Sequence, residues 1–160
     1  MKIRPATRDD IPRIVEMAQR FYPQSPYPAL YGPMPDEQAA GLAIITMEGV
    51  VHEGVELMAP GVLLVGEVDG EVVGMLSLHA DRACFNPERR IASELVFWIE
   101  PEHRGGLAAV RFVKAGEAAA KAIGIEVIRM AALSTSPPET AQLYAHLGYA
   151  PTETYFSKRL

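Results

Sequence analysis

Cysteine is almost missing from this chain: Cys84 is the only one in 160 residues. A lone thiol cannot close an internal disulfide, and it has no partner at metal-ligand spacing. A stapled secreted scaffold and a structural zinc module are therefore both disfavoured. A reducing cytoplasm is the expected compartment. Long apolar runs are lacking as well; no stretch is long enough to cross a bilayer. The opening run from Met1 to Asp10 is polar and charged, with Lys2, Arg4, Thr7, Arg8, Asp9 and Asp10, and does not read as a secretory signal. There is no basic excess either. A formal charge of −5 opposes phosphate-driven binding of nucleic acid, which needs a basic face. Neither a membrane nor a nucleic-acid partner is expected, and small cationic or amine substrates are easier to accommodate.

What is present fits a single globular unit: 49% of residues are hydrophobic and 22% charged, and a second core in a chain of this length would be undersized. Lys2 to Pro5 reads as an edge strand. Ile11, Ile14, Val15 and Ala18 then recur at helical spacing behind Asp9 and Asp10, predicting a helix over about 9–21. Three prolines at 23, 26 and 28 forbid a regular helix and suggest an extended loop carrying Tyr22 and Tyr27. A second helix starts near Asp36 and runs to Glu48 or His52. Val62–Val68 and Glu71–His79 read as strands joined by Asp69-Gly70, a strong hairpin signal. After a polar connection around Asn86-Pro87-Glu88 come a strand over Ile91–Ile99 and a helix over Leu107–Ile123, with Arg111, Lys114, Glu117 and Lys121 as its solvent face. A strand over Glu126–Ala132, a short helix over Pro138–Leu147 and a last strand over Glu153–Lys158 complete the series.

The unit from Glu94 to Ala109 is a strand, a tight turn and a helix start. A helix N-terminus offers unpaired N–H groups and partial positive charge, and Gly105 and Gly106 keep side chains out of the way of an anion such as a pyrophosphate. Arg104 adds a charge. Taken alone, two glycines in such a turn are more often ordinary turn chemistry.

With its surroundings the turn resembles that of the GNAT acyltransferase superfamily, which places Arg/Gln-x-x-Gly-x-Gly/Ala between a strand and a helix. Leu143-Tyr144-Ala145-His146-Leu147-Gly148-Tyr149 is similar to the family's Leu-Tyr-x-x-x-Gly-Phe segment. The resemblance implies an α/β (α+β) fold with a mixed, mostly antiparallel central sheet flanked by helices, in the order β-α-α-β-β-β-α-β-α-β. It implies one acyl-CoA N-acyltransferase domain over 1–160, with acetyl-CoA as cosubstrate, an amine acceptor, no metal, and a homodimer as an option. By the same resemblance the amides of Gly105, Gly106, Leu107, Ala108 and Ala109, with Arg104, hold pyrophosphate, and Phe97, Trp98 and Ile99 pair with the pantetheine arm. The chain departs from the pattern twice. Leu107 stands where a glycine is usual, and Pro137 stands about where an asparagine is common, with Ser134 or Ser136 as alternative polar groups.

Acyl transfer to an amine needs a base for the attacking nitrogen and an acid for the departing thiolate. The resemblance assigns the acid to Tyr144, whose phenol has an ordinary pKa of about 10; otherwise it is a core aromatic. Glu94 interrupts an apolar strand where many relatives carry a glutamate, and it is either the base or a surface strand residue. By simple alternation Glu94, Val96, Trp98 and Glu100 share one face, and Leu95, Phe97 and Ile99 the other. His79 could reach the acceptor and His103 the cofactor, or both are surface histidines. Tyr22, Tyr27 and Tyr31 either shape the acceptor site or seal the helices above them. Cys84 has no companion that would mark it as a nucleophile. A noncatalytic acyl-CoA-binding module is the alternative to an enzyme.

Overall fold

In the computed structural model, which describes residues 1–160, the strands β1 (Lys2–Pro5), β4 (Val62–Val68), β5 (Glu71–Ala83), β6 (Asn86–Ile99) and β7 (Val127–Arg129) form one sheet in that order. All its pairings are antiparallel except that of β6 with β7. A separate small hairpin joins β2 (Val50–His52) and β3 (Val55–Met58). The helices are α1 (Ile11–Phe21), α2 (Tyr27–Tyr31), α3 (Asp36–Glu48), α4 (Ala108–Ala122) and α5 (Pro138–His146).

The sheet is covered on both faces. Ile14, Met17, Ala18, Ala39 and Ala43 of α1 and α3 pack on Leu63, Val65, Met75 and Trp98. Phe112 and Ala120 of α4 pack on Val62, Leu64, Leu76, Leu78, Ala92 and Ile99. This explains why Val62-Leu63-Leu64-Val65 is apolar throughout: alternate side chains serve opposite faces, and neither face meets water.

Several expectations are met closely. Asp69 and Gly70 both adopt positive φ, the two-residue hairpin geometry that this dipeptide favours. The first helix forms, with a short 3-10 turn at Arg8–Asp10 ahead of it. Here Asp10 accepts hydrogen bonds from the backbone and hydroxyl of Thr7 and a forked pair from Arg4.

Other expectations are corrected. The proline-rich loop is not extended, because Pro23 and Pro28 stand in the first turns of a 3-10 helix (Tyr22–Gln24) and of α2, where the missing N–H costs nothing. Asn86-Pro87-Glu88 is not a connection but the start of β6; the turn lies at Cys84-Phe85, and β5 continues to Ala83. The strand over Glu126–Ala132 is shorter, Val127–Arg129, because the chain leaves β6 after Ser93. The last strand, Glu153–Lys158, does not form. Strand-favouring Tyr155 and Phe156 have no ladder to join and stay exposed.

Candidate active site

Strand β6 carries the centre of the site, and a β-bulge decides which way it faces. Ser77 pairs with Val96 and Leu78 with Glu94, so Leu95 is an extra residue with no partner on β5. The bulge shifts the alternation by one. Ala92 and Ile99, seven residues apart, consequently contribute to the same core beside α4, while Trp98 contributes to the core beneath α1 and α3. The expectation that Glu94 faces with Trp98 is therefore corrected: Glu94 is opposite Leu78 and shares the α4 side with Phe97 and Ile99.

Glu94 also lies where the parallel pairing of β6 with β7 has just ended at Ser93 and Arg129. Its Oε2 spans the fork, accepting the backbone N–H of Ala131 at 3.0 Å and the hydroxyl of Tyr144, on α5, at 3.1 Å. Oε1 has no protein donor. Although Glu94 keeps partial surface exposure, the protein atoms crowded around its carboxyl raise its pKa to about 7. The two hydrogen bonds oppose this only partly. Tyr144 is 7% exposed, and burial followed by the nearby Glu94 charge pushes its phenol well above the ordinary value. The phenol thus stays protonated at neutral pH.

Two cavities meet at this pair, with Glu94 and Phe21 lining both. The first, about 490 Å³, lies between β6 and the α1–α3 layer and is walled by Tyr22, Tyr27 and Tyr31. The rings of Tyr22 and Tyr27 stack at 6.4 Å and those of Tyr27 and Tyr31 at 5.9 Å. The second, about 410 Å³, runs along β6 at Phe97, Trp98 and Ile99 to the turn at Arg104, Gly105 and Gly106, with Ala109 and Tyr144 also in its wall. A larger and more open depression of about 670 Å³, near Glu117 and Tyr149, is lined by neither member of the pair.

The glycine turn exposes donors. Gly105 (φ 101°) and Gly106 (φ 52°) both lie in the left-handed region, and a Cβ on either would meet nothing within 4 Å. Their conformation is thus set by the backbone path, not by crowding. The amides of Gly105, Gly106, Leu107, Ala109 and Val110 make no bond within the protein, whereas Ala108 donates to Gly105 and Arg111 to Leu107. Five free N–H groups at the positive end of a 15-residue helix suit a phosphate or pyrophosphate. Leu107 does not obstruct them; its side chain turns to solvent, 65% exposed. Arg104 is engaged otherwise than expected: its Nε donates to the Ile99 carbonyl at 2.7 Å and its guanidinium lies over the Trp98 ring. That bond also shows that the Ile99 carbonyl points away from β5. By alternation the amide and carbonyl of Phe97 share this open edge.

Other candidates fall outside. His79 sits on β5 opposite Ser93 and lines neither cavity, as do His103, in the 3-10 turn before Arg104, and the side chains of Leu107 and Ala108. Thr135, Ser136 and Thr140 line the second cavity near Pro137. Ser136 accepts the Leu133 amide, while Ser134 lies outside. Sequence reasoning missed Val110, Thr135 and Thr140; only the free amide of Val110 had a signal, its place in the first helical turn. It also missed Glu100, fully buried, whose Oε1 takes Arg13 (2.6 Å) and Arg20 (3.0 Å) and whose Oε2 takes Trp98 Nε1. No group of side chains suited to a metal ion is present, and no helix is long and apolar enough to cross a membrane.

The family model for the acetyltransferase (GNAT) family matches residues 13–149. The chain belongs to the GNAT acetyltransferase family and is an acyltransferase. Solved structures similar in fold include ribosomal-protein-alanine N-acetyltransferase from Brucella melitensis biovar Abortus 2308, at 15% identity and TM-score 0.73 with 100% of both chains covered. A predicted acetyltransferase with acetyl-CoA from Clostridium acetobutylicum is 17% identical, with TM-score 0.70, covering 99% of this chain and 95% of that one. Glucosamine-6-phosphate N-acetyltransferase from Arabidopsis thaliana is 15% identical, with TM-score 0.67, covering 98% and 96%. No curated protein shows significant sequence similarity. At such identities these likenesses concern the fold of the acetyltransferase and not its acceptor.

Proposed function

We propose that this acetyltransferase moves an acetyl group from acetyl-CoA to a primary amine by direct attack, with both substrates bound together in one catalytic domain spanning residues 1–160. The observation that carries the reading is the Glu94–Tyr144 hydrogen bond at the junction of the two cavities. A base and an acid are the two groups that this reaction needs, and a carboxyl of raised pKa beside a protonated phenol supports that assignment.

The second cavity takes the acyl donor. Its pyrophosphate lies on the free amides between Gly105 and Val110, and its pantetheine arm adds along the open edge of β6 at Phe97 and Ile99, as an extra strand would. Arg104 supports the turn through Ile99 and Trp98 while its charge faces the same cavity. The acceptor comes from the tyrosine-walled cavity. Its neutral nitrogen attacks the thioester carbonyl, an N–C bond forms, and the proton shed by nitrogen passes to Glu94. With a pKa of about 7, Glu94 is half ionised near neutrality and is a stronger base than an ordinary glutamate. As the C–S bond breaks, the thiolate takes the phenol proton of Tyr144. Protonated Glu94 no longer competes for that proton, and it restores the phenol across the same hydrogen bond. A cytoplasmic setting, where acetyl-CoA and a free Cys84 are both at home, is part of the proposal.

Thermal unfolding with and without CoA, together with thiol release from acetyl-CoA in the presence of amines, tests the reading. A CoA-dependent rise in Tm and amine-dependent thiol release are expected. Stabilisation without turnover on any amine leaves a noncatalytic acyl-CoA-binding module instead, and no stabilisation removes CoA altogether.

A further inference from the structure

Resting on the acyltransferase reading, the acceptor cavity itself narrows the substrate. Of the side chains that line it, Glu94 alone is charged. Two of the other polar groups are occupied, since Ser77 and Thr46 share a buried hydrogen bond and the Tyr22 hydroxyl donates to the Gly32 carbonyl at 2.7 Å; the Gln38 side chain and the hydroxyls of Tyr27 and Tyr31 make no hydrogen bond within the protein. The rest of the wall is apolar, with Met34, Leu42, Leu63 and Met75 lining the same cavity as the tyrosines. A volume of about 490 Å³ is within the usual range for a small ligand.

Each common class of amine meets these walls differently. A polyamine brings a second ammonium, and no second carboxylate is there to receive it; an unpaired buried charge is costly. An amino sugar brings hydroxyls all round its ring, while the wall offers partners only at Gln38, Tyr27 and Tyr31 and is apolar elsewhere, so several of them would lose their water for no partner. A phosphorylated amine or an amino acid brings an anion, which would find no Arg or Lys in the wall and would face Glu94. A molecule with one amine and an otherwise apolar body sets its nitrogen against Glu94 and leaves no other polar group without a partner. We infer that the acceptor is a small arylalkylamine, its ring lying against Tyr27 and Met34 and its nitrogen directed to Glu94. The same apolar walls favour the neutral amine over the ammonium, so the cavity assists the deprotonation that attack requires.

The test uses the whole chain and separates binding from turnover. Calorimetric titration in the presence of CoA, and thiol release from acetyl-CoA, are measured with 2-phenylethylamine, spermidine and glucosamine 6-phosphate. Saturable binding of 2-phenylethylamine is expected, with kcat/KM at least about 10-fold above either competitor. Leu42→Glu, which adds a second carboxylate to the wall, is expected to shift the preference toward spermidine. Binding of 2-phenylethylamine without turnover keeps the cavity's assignment and removes the transferase mechanism. Turnover of spermidine or the amino sugar in preference to 2-phenylethylamine keeps the transferase and overturns the inference. Failure of 2-phenylethylamine to bind even in millimolar excess overturns it whatever else is acetylated.

Discussion

The guanidinium carbon of Arg104 lies 4.4 Å from the centroid of the Trp98 ring. Trp98 donates to the buried Glu100, which also takes the partly exposed Arg13 and Arg20, so an ionic cluster centred on Glu100 braces the glycine turn through Trp98. A cation over an indole contributes about 0.5–2 kcal/mol. Arg104→Ala is therefore expected to raise KM for acetyl-CoA about 10-fold with a smaller change in kcat, as steady-state kinetics at saturating amine will show.

Tyr144→Phe removes the hydroxyl and keeps the ring that packs 5.8 Å from Tyr149. The fold and the CoA-dependent stabilisation are expected to persist while kcat falls about 100-fold or more. Turnover equal to that of the parent would mean that Tyr144 serves only as core.

Glu94 gives two linked pH effects. If its carboxylate is the base, kcat/KM rises with pH to a plateau with an apparent pKa of about 7, and Glu94→Gln lowers and flattens that profile. The stability effect has the opposite sign. Between the ordinary value of 4.5 and about 7 the folded chain keeps a proton that the unfolded chain has released, so this group's contribution to stability declines as pH rises through that window. At pH 8 Glu94→Gln is expected to be more stable than the parent by about 1–3 kcal/mol, with the gap closing near pH 4. Urea unfolding at the two pH values checks this.

Asp10 behaves conversely. Its forked bond from Arg4, assisted by Thr7, holds its pKa near 2, below the ordinary 3.8. The stabilisation is complete above about pH 4 and is lost as pH falls toward 2. Asp10→Asn is expected to cost roughly 2 kcal/mol at pH 7, measured by the same urea titrations.

Much of this was legible because local chemistry and global fold agree. The Asp69-Gly70 turn, the amphipathic spacing of α1 and the glycine turn before α4 are each specified within a few residues. Glu94, Tyr144 and the three tyrosines could be named as candidates through the resemblance to GNAT enzymes, Glu94 being marked also as a charge that interrupts an apolar strand. What stayed hidden depends on pairing between distant segments. Nothing near Leu95 announces a bulge, since it arises from register against Ser77 and Leu78. The ionic cluster at Glu100 joins residues 87 and 80 positions apart. The expected last strand shows the converse: suitable propensity at Tyr155 and Phe156 yields no strand without an edge to pair with.

The unpaired Leu95 makes the site depend on a count of residues as well as on their identities. Deleting that one position would let β6 run straight against β5 with every other side chain keeping its layer, but would remove the local bend by which β6 is aimed at the fork with β7. Trp98 would keep its place over Glu100, and the change would fall on the aim of Glu94 toward Tyr144. Deletion of Leu95 should therefore lower turnover while leaving the fold intact, whereas conservative variation at Leu95, which keeps the bulge and the apolar cavity wall, should be forgiven.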